Sequence, residues 1–185
     1  MKTMREIIAE NYLCFLALIE MIIEDVIGRN CIDQFYLAEH FGVTVPENHK
    51  INVDNIQYSS KDRNLGVHLD EIKLNTFFET TGIPLRADYI YVNPFEENKI
   101  DDFRYPALRN GKYIVYTYSY GGLYGIPQSY DIGHVALLDE VISEDCVRIY
   151  DPGPKGCGYK EVSRLNLYEA MRIIKSGIYI FEICM

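Results

Sequence analysis

Apolar residues crowd the start of the chain at helical spacing and alternate along its second half. From Leu13 to Ile23 they are dense enough to occupy nearly every face of a helix, while Glu6, Glu10, Glu20, Glu24 and Asp25 supply an exposed side. Residues 4–28 therefore predict one long helix that ends near Gly28 and belongs in the middle of a domain. Asp33 starts a second helix through Phe41, which Gly42 stops. Residues 46–66 are polar and rich in Asn, Asp and Ser, so they predict a loop or a weakly structured insertion. A third helix is expected over roughly 68–81, closed by Gly82.

Beyond Gly82 the period shortens. Residues 85–92, 112–120, 133–142 and 146–151 are rich in β-branched and aromatic side chains and are separated by turn residues, which predicts strands. Residues 93–104 predict a loop or short helix, and the glycine-rich stretch 121–131 a loop. One more helix over 166–177 precedes a last strand, 178–185. Helices first and then an antiparallel sheet, interrupted by a late helix, make an α+β architecture. At 185 residues this is one domain, with 1–82 mainly helical and 83–185 mainly sheet. A site between the two parts would form a cleft for a small molecule or peptide.

Charge narrows the partners. The formal net charge of -9, with Lys and Arg scattered, argues against nucleic acid or an anionic membrane surface. The apolar run near the N-terminus is flanked by acidic residues and is too short to span a bilayer, so a buried helix is expected rather than a signal peptide or membrane span. Cys14, Cys31, Cys146, Cys157 and Cys184 form no CxxC pair and no regular framework. That spacing predicts reduced thiols, a cytoplasmic location and no metal or other cofactor.

Three residues carry candidate chemistry. Cys14 lies near the start of the central apolar stretch, where a helix N-terminus would stabilise a thiolate, the nucleophilic form. The plainer reading of a cysteine in an apolar helix is packing. His134 opens an apolar strand after a loop and can project its ring into a cleft, whereas His40, His49 and His68 sit where surface roles suffice. Asp151 closes the next strand before Pro-Gly, where aspartate is often only a turn former. In an antiparallel hairpin, however, the end of the second strand lies beside the start of the first. Asp151 should therefore reach His134 and orient it as a general base. Tyr118, Tyr120, Tyr124 and Tyr130 flank the loop before His134 and would either line a substrate cleft or face solvent. Cys157, in a glycine-rich turn, is a second thiol, most simply without a role.

The whole succession resembles a known family. The Cys14 helix, DQFYLAEHFGVTVP, LDEIKLNTFFETTGIPL, GKYIVYTYSY, GHVALLDEV with VRIYDPGP, and the closing IYIFE look like the papain-like peptidases that process double-glycine leaders of bacteriocins. They also look like a related domain of a butirosin-pathway acyltransferase. The resemblance implies a papain-like fold with the Cys-bearing helix packed on an antiparallel sheet. It implies Cys14 as nucleophile, His134 as general base and acid, and Asp151 as the residue that orients His134. Two positions depart from the pattern. Ile8 stands where those peptidases have the Gln of the oxyanion hole, and Phe15-Leu16-Ala17 stand where they have Gly and small residues. The backbone N–H of Cys14 with Asn11, Gln128 or Tyr116 would have to replace the missing donor, whose loss typically costs a factor of about 100 to 1000 in rate.

Three functions follow from these residues. One is a thiol hydrolase (peptidase, amidase or thioesterase) acting through an acyl-enzyme on Cys14. Another is an acyltransferase that passes the same acyl group to an amine. The last is an inactive papain-like module that binds a peptide or carrier protein, which Ile8 and Phe15 favour. The expected ligand is accordingly a peptide, an acyl or amide small molecule, or a carrier protein.

Overall fold

The computed structural model describes residues 4–28, 32–61, 64–91, 111–129, 132–154 and 156–184. The chain divides into two compact units. Met1–Leu69 with Pro152–Gly158 make the first, and Asp70–Asp151 with Tyr159–Met185 make the second.

The first unit is built on α1 (Cys14–Ile27), followed by α2 (Gln34–Phe41), β1 (Val43–Val45) and β2 (Ile56–Tyr58). Along α1, Phe15 to Ile19 and Met21 to Ile23 are all buried, as the dense apolar pattern requires. The long helix expected from residue 4 begins only at Cys14. Ile7, Ala9 and Leu13 are buried like helical core residues, yet the segment carrying them is not helical. Two backbone features account for this. Tyr12 takes a positive φ of 71°, and the Ala9 N–H donates to the Pro152 carbonyl at 2.8 Å. A left-handed residue cannot continue a right-handed helix, and apolar spacing alone does not reveal one. Gln34 then anchors the segment. Its Oε1 accepts from the Glu10 N–H at 2.7 Å, and its Nε2 donates to the Ile8 carbonyl at 3.1 Å.

Asp33 caps α2 by accepting from the Tyr36 N–H, as its side-chain type suggests. The stretch expected to be a loop or insertion contains β2, which pairs in parallel with β1, and Gly66 bridges to Thr44. Ile56–Tyr58 is too short and too exposed to show an alternating pattern.

The second unit is a six-stranded sheet with helices. Its elements are α3 (Glu71–Thr81), β3 (Leu85–Tyr91), β4 (Tyr113–Ser119), α4 (Tyr120–Tyr124), β5 (Gly133–Val141), β6 (Cys146–Asp151), β7 (Gly158–Ser163), α5 (Arg164–Ile173) and β8 (Gly177–Ile183). Strand order is β3-β8-β4-β5-β6-β7. The pairings β3–β8, β4–β8, β4–β5 and β5–β6 are antiparallel. Ile114, Tyr116 and Tyr118 of β4, Ala136 and Leu138 of β5, and Val147 and Ile149 of β6 form one core. They pack with Leu167, Ala170 and Met171 of α5. Gly177 starts β8 where a Cβ would meet the Ile90 carbonyl oxygen at 2.1 Å, so no larger residue fits there.

At the β3 edge, Asn75 of α3 occupies both backbone groups of Ala87. Its Oδ1 accepts from the Ala87 N–H at 2.7 Å, and its Nδ2 donates to the Ala87 carbonyl at 2.8 Å. An edge strand presents such groups outward, and a fixed amide satisfies both. One expectation needs correcting here, and one strand was not foreseen. The glycine-rich stretch after β4 holds the short helix α4, which Ser119 caps by accepting from the Gly122 N–H. Residues 158–163 form the strand β7, which the sequence reading did not assign. The stretch 93–104 and Tyr130 fall outside the described residues.

Candidate functional site

The β5–β6 hairpin places two of the candidate residues together. Its register pairs Leu137 with Tyr150 and Leu138 with Ile149, then shifts by one residue through a bulge before Glu140 pairs with Arg148. Side chains alternate across a sheet, so Asp151 faces the same way as Ile149, and His134 the same way as Ala136 and Leu138. The bulge preserves this shared face while Val141, beyond it, still pairs with Val147. Extending the register sets Asp151 beside Ala136, one same-face position from His134, a diagonal that long side chains cross. Here they do: His134 Nε2 lies 2.7 Å from Asp151 Oδ1.

Both groups are well removed from water, with the Asp151 side chain fully buried and that of His134 only 10% exposed. A carboxylate can only accept, so Nε2 carries the proton of this bond and Nδ1 holds the lone pair of the neutral ring. The ring is flanked by tyrosines edge-on. Tyr118 lies at 5.6 Å and 89° between planes, and Tyr120 at 5.3 Å and 90°. Tyr118 is a core residue of the sheet, Tyr120 sits at the start of α4, and neither is simply a solvent-facing strand residue.

Sequence reasoning missed half of the surroundings of Asp151. Its other oxygen, Oδ2, accepts from Lys160 Nζ at 2.6 Å and from the Tyr124 hydroxyl at 3.0 Å, and Lys160 also donates to that hydroxyl at 3.2 Å. Lys160 comes from β7, the neighbour of β6, and Tyr124 from α4. The overlooked signal was the alternation in GYKEVS, which turns Lys160 inward, within the next strand after Asp151.

The protonation of the cluster follows from these contacts. Burial first, and then the Asp151 charge, push the Tyr124 hydroxyl above the usual tyrosine value. Burial alone would weaken Lys160 as a cation. Its hydrogen bonds to Asp151 and Tyr124 outweigh that, so its ammonium is held above the usual lysine value. The cluster thus contains a carboxylate, an ammonium and a neutral phenol around one imidazole.

Cys14 belongs to the first unit, where it is the first residue of α1 and half-buried. The N-cap position is Leu13, whose side chain makes no capping hydrogen bond. A helix start of this kind favours negative charge. In the same unit, Asn11 donates from its backbone N–H and from Nδ2 to Glu10 Oε1, at 3.0 and 3.3 Å. Ile8 is 59% exposed. Of the other proposed oxyanion donors, Gln128 is exposed in a 3-10 turn (Pro127–Ser129), and Tyr116 is buried in the sheet core of the second unit. Cys157 is exposed and Cys146 half-buried, each as a free thiol, while Cys31 falls outside the described residues. Among the described residues no group of three or more His, Cys, Asp or Glu side chains is placed to hold a metal ion, and no helix is long and apolar enough to cross a membrane.

No family model and no curated protein matches the sequence. Among solved structures, a crystal structure from Bacillus anthracis described as a "putative C39-like peptidase" is similar, with a TM-score of 0.59 at 15% sequence identity. The match covers 93% of this chain and 89% of the other. At that identity the likeness establishes the fold, and the fold of this chain is α+β and papain-like.

Proposed function

We propose that the protein is a cysteine hydrolase that works through an acyl-enzyme on Cys14, with His134 as general base and acid and Asp151 as the residue that orients His134. The observation that carries this reading is the buried hydrogen bond from His134 Nε2 to Asp151, at 2.7 Å, on a papain-like fold. An imidazole held in one tautomer by a carboxylate is what activation of a thiol requires. Nδ1 takes the thiol proton, and the sulfur of Cys14 attacks the carbonyl carbon of a peptide, amide or thioester. As the bond to the leaving amine or thiol breaks, His134 returns the proton to it. Water, deprotonated by the same nitrogen, then attacks the acyl-enzyme; the C–S bond breaks, a carboxylic acid leaves, and His134 returns the proton to Cys14. Cys14 is the first residue of α1, and its backbone N–H with Asn11 is the donor pair this reading assigns to the oxyanion.

An amine in place of water turns the same chemistry into acyl transfer, and the acceptor is set by the substrate cleft rather than by these three residues. A reading without chemistry, as a binder of a peptide or carrier protein, is favoured by one observation: exposed Ile8 occupies the position where the resembled peptidases have their oxyanion Gln. Incubation with an aryl thioester, followed by intact-mass and peptide mapping, separates these readings. The hydrolase reading expects acyl mass on Cys14 in the wild type, none in Cys14→Ala, and at least tenfold slower labelling in His134→Ala. Equal labelling of all thiols, unaffected by His134→Ala, would leave only the binding module.

A further inference from the structure

Asp151 has two oxygens and two basic partners. Oδ1 holds the imidazole of His134 at 2.7 Å and Oδ2 holds the ammonium of Lys160 at 2.6 Å, with the carboxylate itself wholly buried. A lone buried carboxylate beside an imidazole raises its proton affinity, because the imidazolium then neutralises the only charge present. Here that charge is already neutralised from the other side. Protonating His134 would place a second cation one carboxylate-width from the first, in surroundings that screen poorly.

We propose that Lys160 is a positioning residue for the His134–Asp151 pair, sharing the carboxylate so that the imidazole is oriented by Asp151 without being made strongly basic. The groups that face His134 are consistent with this assignment. Tyr118 comes from β4, Tyr120 from α4 and Asp151 from β6, with Lys160 from β7 and Tyr124 from α4 on the far oxygen. Of these, Asp151 and Lys160 carry the formal charges. Tyr124 bridges the two by donating to Asp151 Oδ2 and accepting from Lys160, which fixes the ammonium against that oxygen. A general base works best with a proton affinity near the operating pH, and a base left beside an unshared buried carboxylate would spend more of its time protonated. The inference rests on the assignment of His134 as the general base, yet its central quantity is a property of His134 that needs no substrate.

The test is an NMR titration of His134 in the full chain, its signals identified by their loss in His134→Gln. Lys160→Met and Lys160→Gln are expected to raise the His134 midpoint by about one pH unit, the lower end of the range for a nearby charge because Lys160 is one-quarter exposed. Lys160→Arg keeps the charge and is expected to leave the midpoint within about 0.3 units. Gln still donates a hydrogen bond to Asp151, so a purely structural lysine would leave the Gln variant unshifted, and that result overturns the proposal. If neither neutral variant folds, the wild type decides alone, since a midpoint above the ordinary histidine value of about 6.5 contradicts a shared carboxylate. A Cys14 that fails to react sinks the hydrolase reading and leaves this titration standing. An unshifted His134 with a reactive Cys14 sinks the role of Lys160 alone.

Discussion

The two units treat a carboxylate in opposite ways, one fully buried and the other half-buried. In the second unit Asp151 is fully buried and meets a lysine, a tyrosine and a histidine, all delivered by strand register or by the helix that follows a strand. In the first unit Glu20 of α1 is met by the backbone N–H of Gln34 at 2.8 Å. Burial dominates there and pushes its carboxyl above the ordinary value of 4.5, with Arg5 a minor counterweight. A sheet collects polar side chains from several strands onto one spot, so charges can cancel. A helix buried on most faces leaves each polar group to whatever backbone passes by. The sheet unit can therefore hold a stable array of proton-carrying groups, while the helical unit contributes a helix start and the thiol of Cys14.

Removing Asp151 attacks the comparison where it is strongest. Asp151→Ala leaves Lys160, Tyr124 and His134 facing a void, and it is expected to destabilise the protein by about 3 kcal/mol in urea unfolding. A loss under about 1 kcal/mol would mean that the cluster is not a cooperative unit. Asn75→Ala strips both partners from Ala87 at the sheet edge. It should cost about 1–2 kcal/mol in the same assay, with the change in midpoint rather than in slope.

The cluster also predicts an alkaline limit. Lys160 and Tyr124 hold their protons more tightly in the fold than their ordinary values of 10.5 and 10.0. The stability they contribute is thus fully present below about pH 10 and is lost as pH rises through the folded-state values. Melting temperatures recorded from pH 8 to 11 should fall more steeply in the wild type than in Lys160→Met. The smallest effect is expected in the helical unit. Glu20 prefers its neutral form in the fold, so its contribution is present below pH 4.5 and lost as pH rises through its raised folded value. Glu20→Gln keeps an acceptor for the Gln34 N–H and should raise the melting temperature at pH 7 by about 1–2 °C, with no gain near pH 4.

The same contrast explains what was legible in the sequence. The β5–β6 hairpin was readable because a period of two fixes which residues share a face, so His134 and Asp151 could be paired from 17 residues of separation. Lys160 was not, because β7 alternates between exposed and half-buried positions and so carries little apolar signal. Tyr124 was named only as a candidate cleft residue, since a five-residue helix capped by Ser119 looks like a glycine-rich loop. Ahead of α1 the buried apolar residues Ile7, Ala9 and Leu13 pass for a continuing helix, and nothing in residue type betrays the left-handed Tyr12. That misreading matters, because the true start places Cys14 at the first position of the helix rather than in its third turn.

The central claim is that Cys14 is a thiol activated by His134. Site-resolved alkylation with iodoacetamide at pH 7, read by mass spectrometry, tests it against the protein's own controls, the exposed thiols Cys157 and Cys184. The account predicts that half-buried Cys14 reacts faster than either exposed cysteine and slows at least tenfold in His134→Ala. Cys14 reacting more slowly than both, at a rate that His134→Ala does not change, would contradict it.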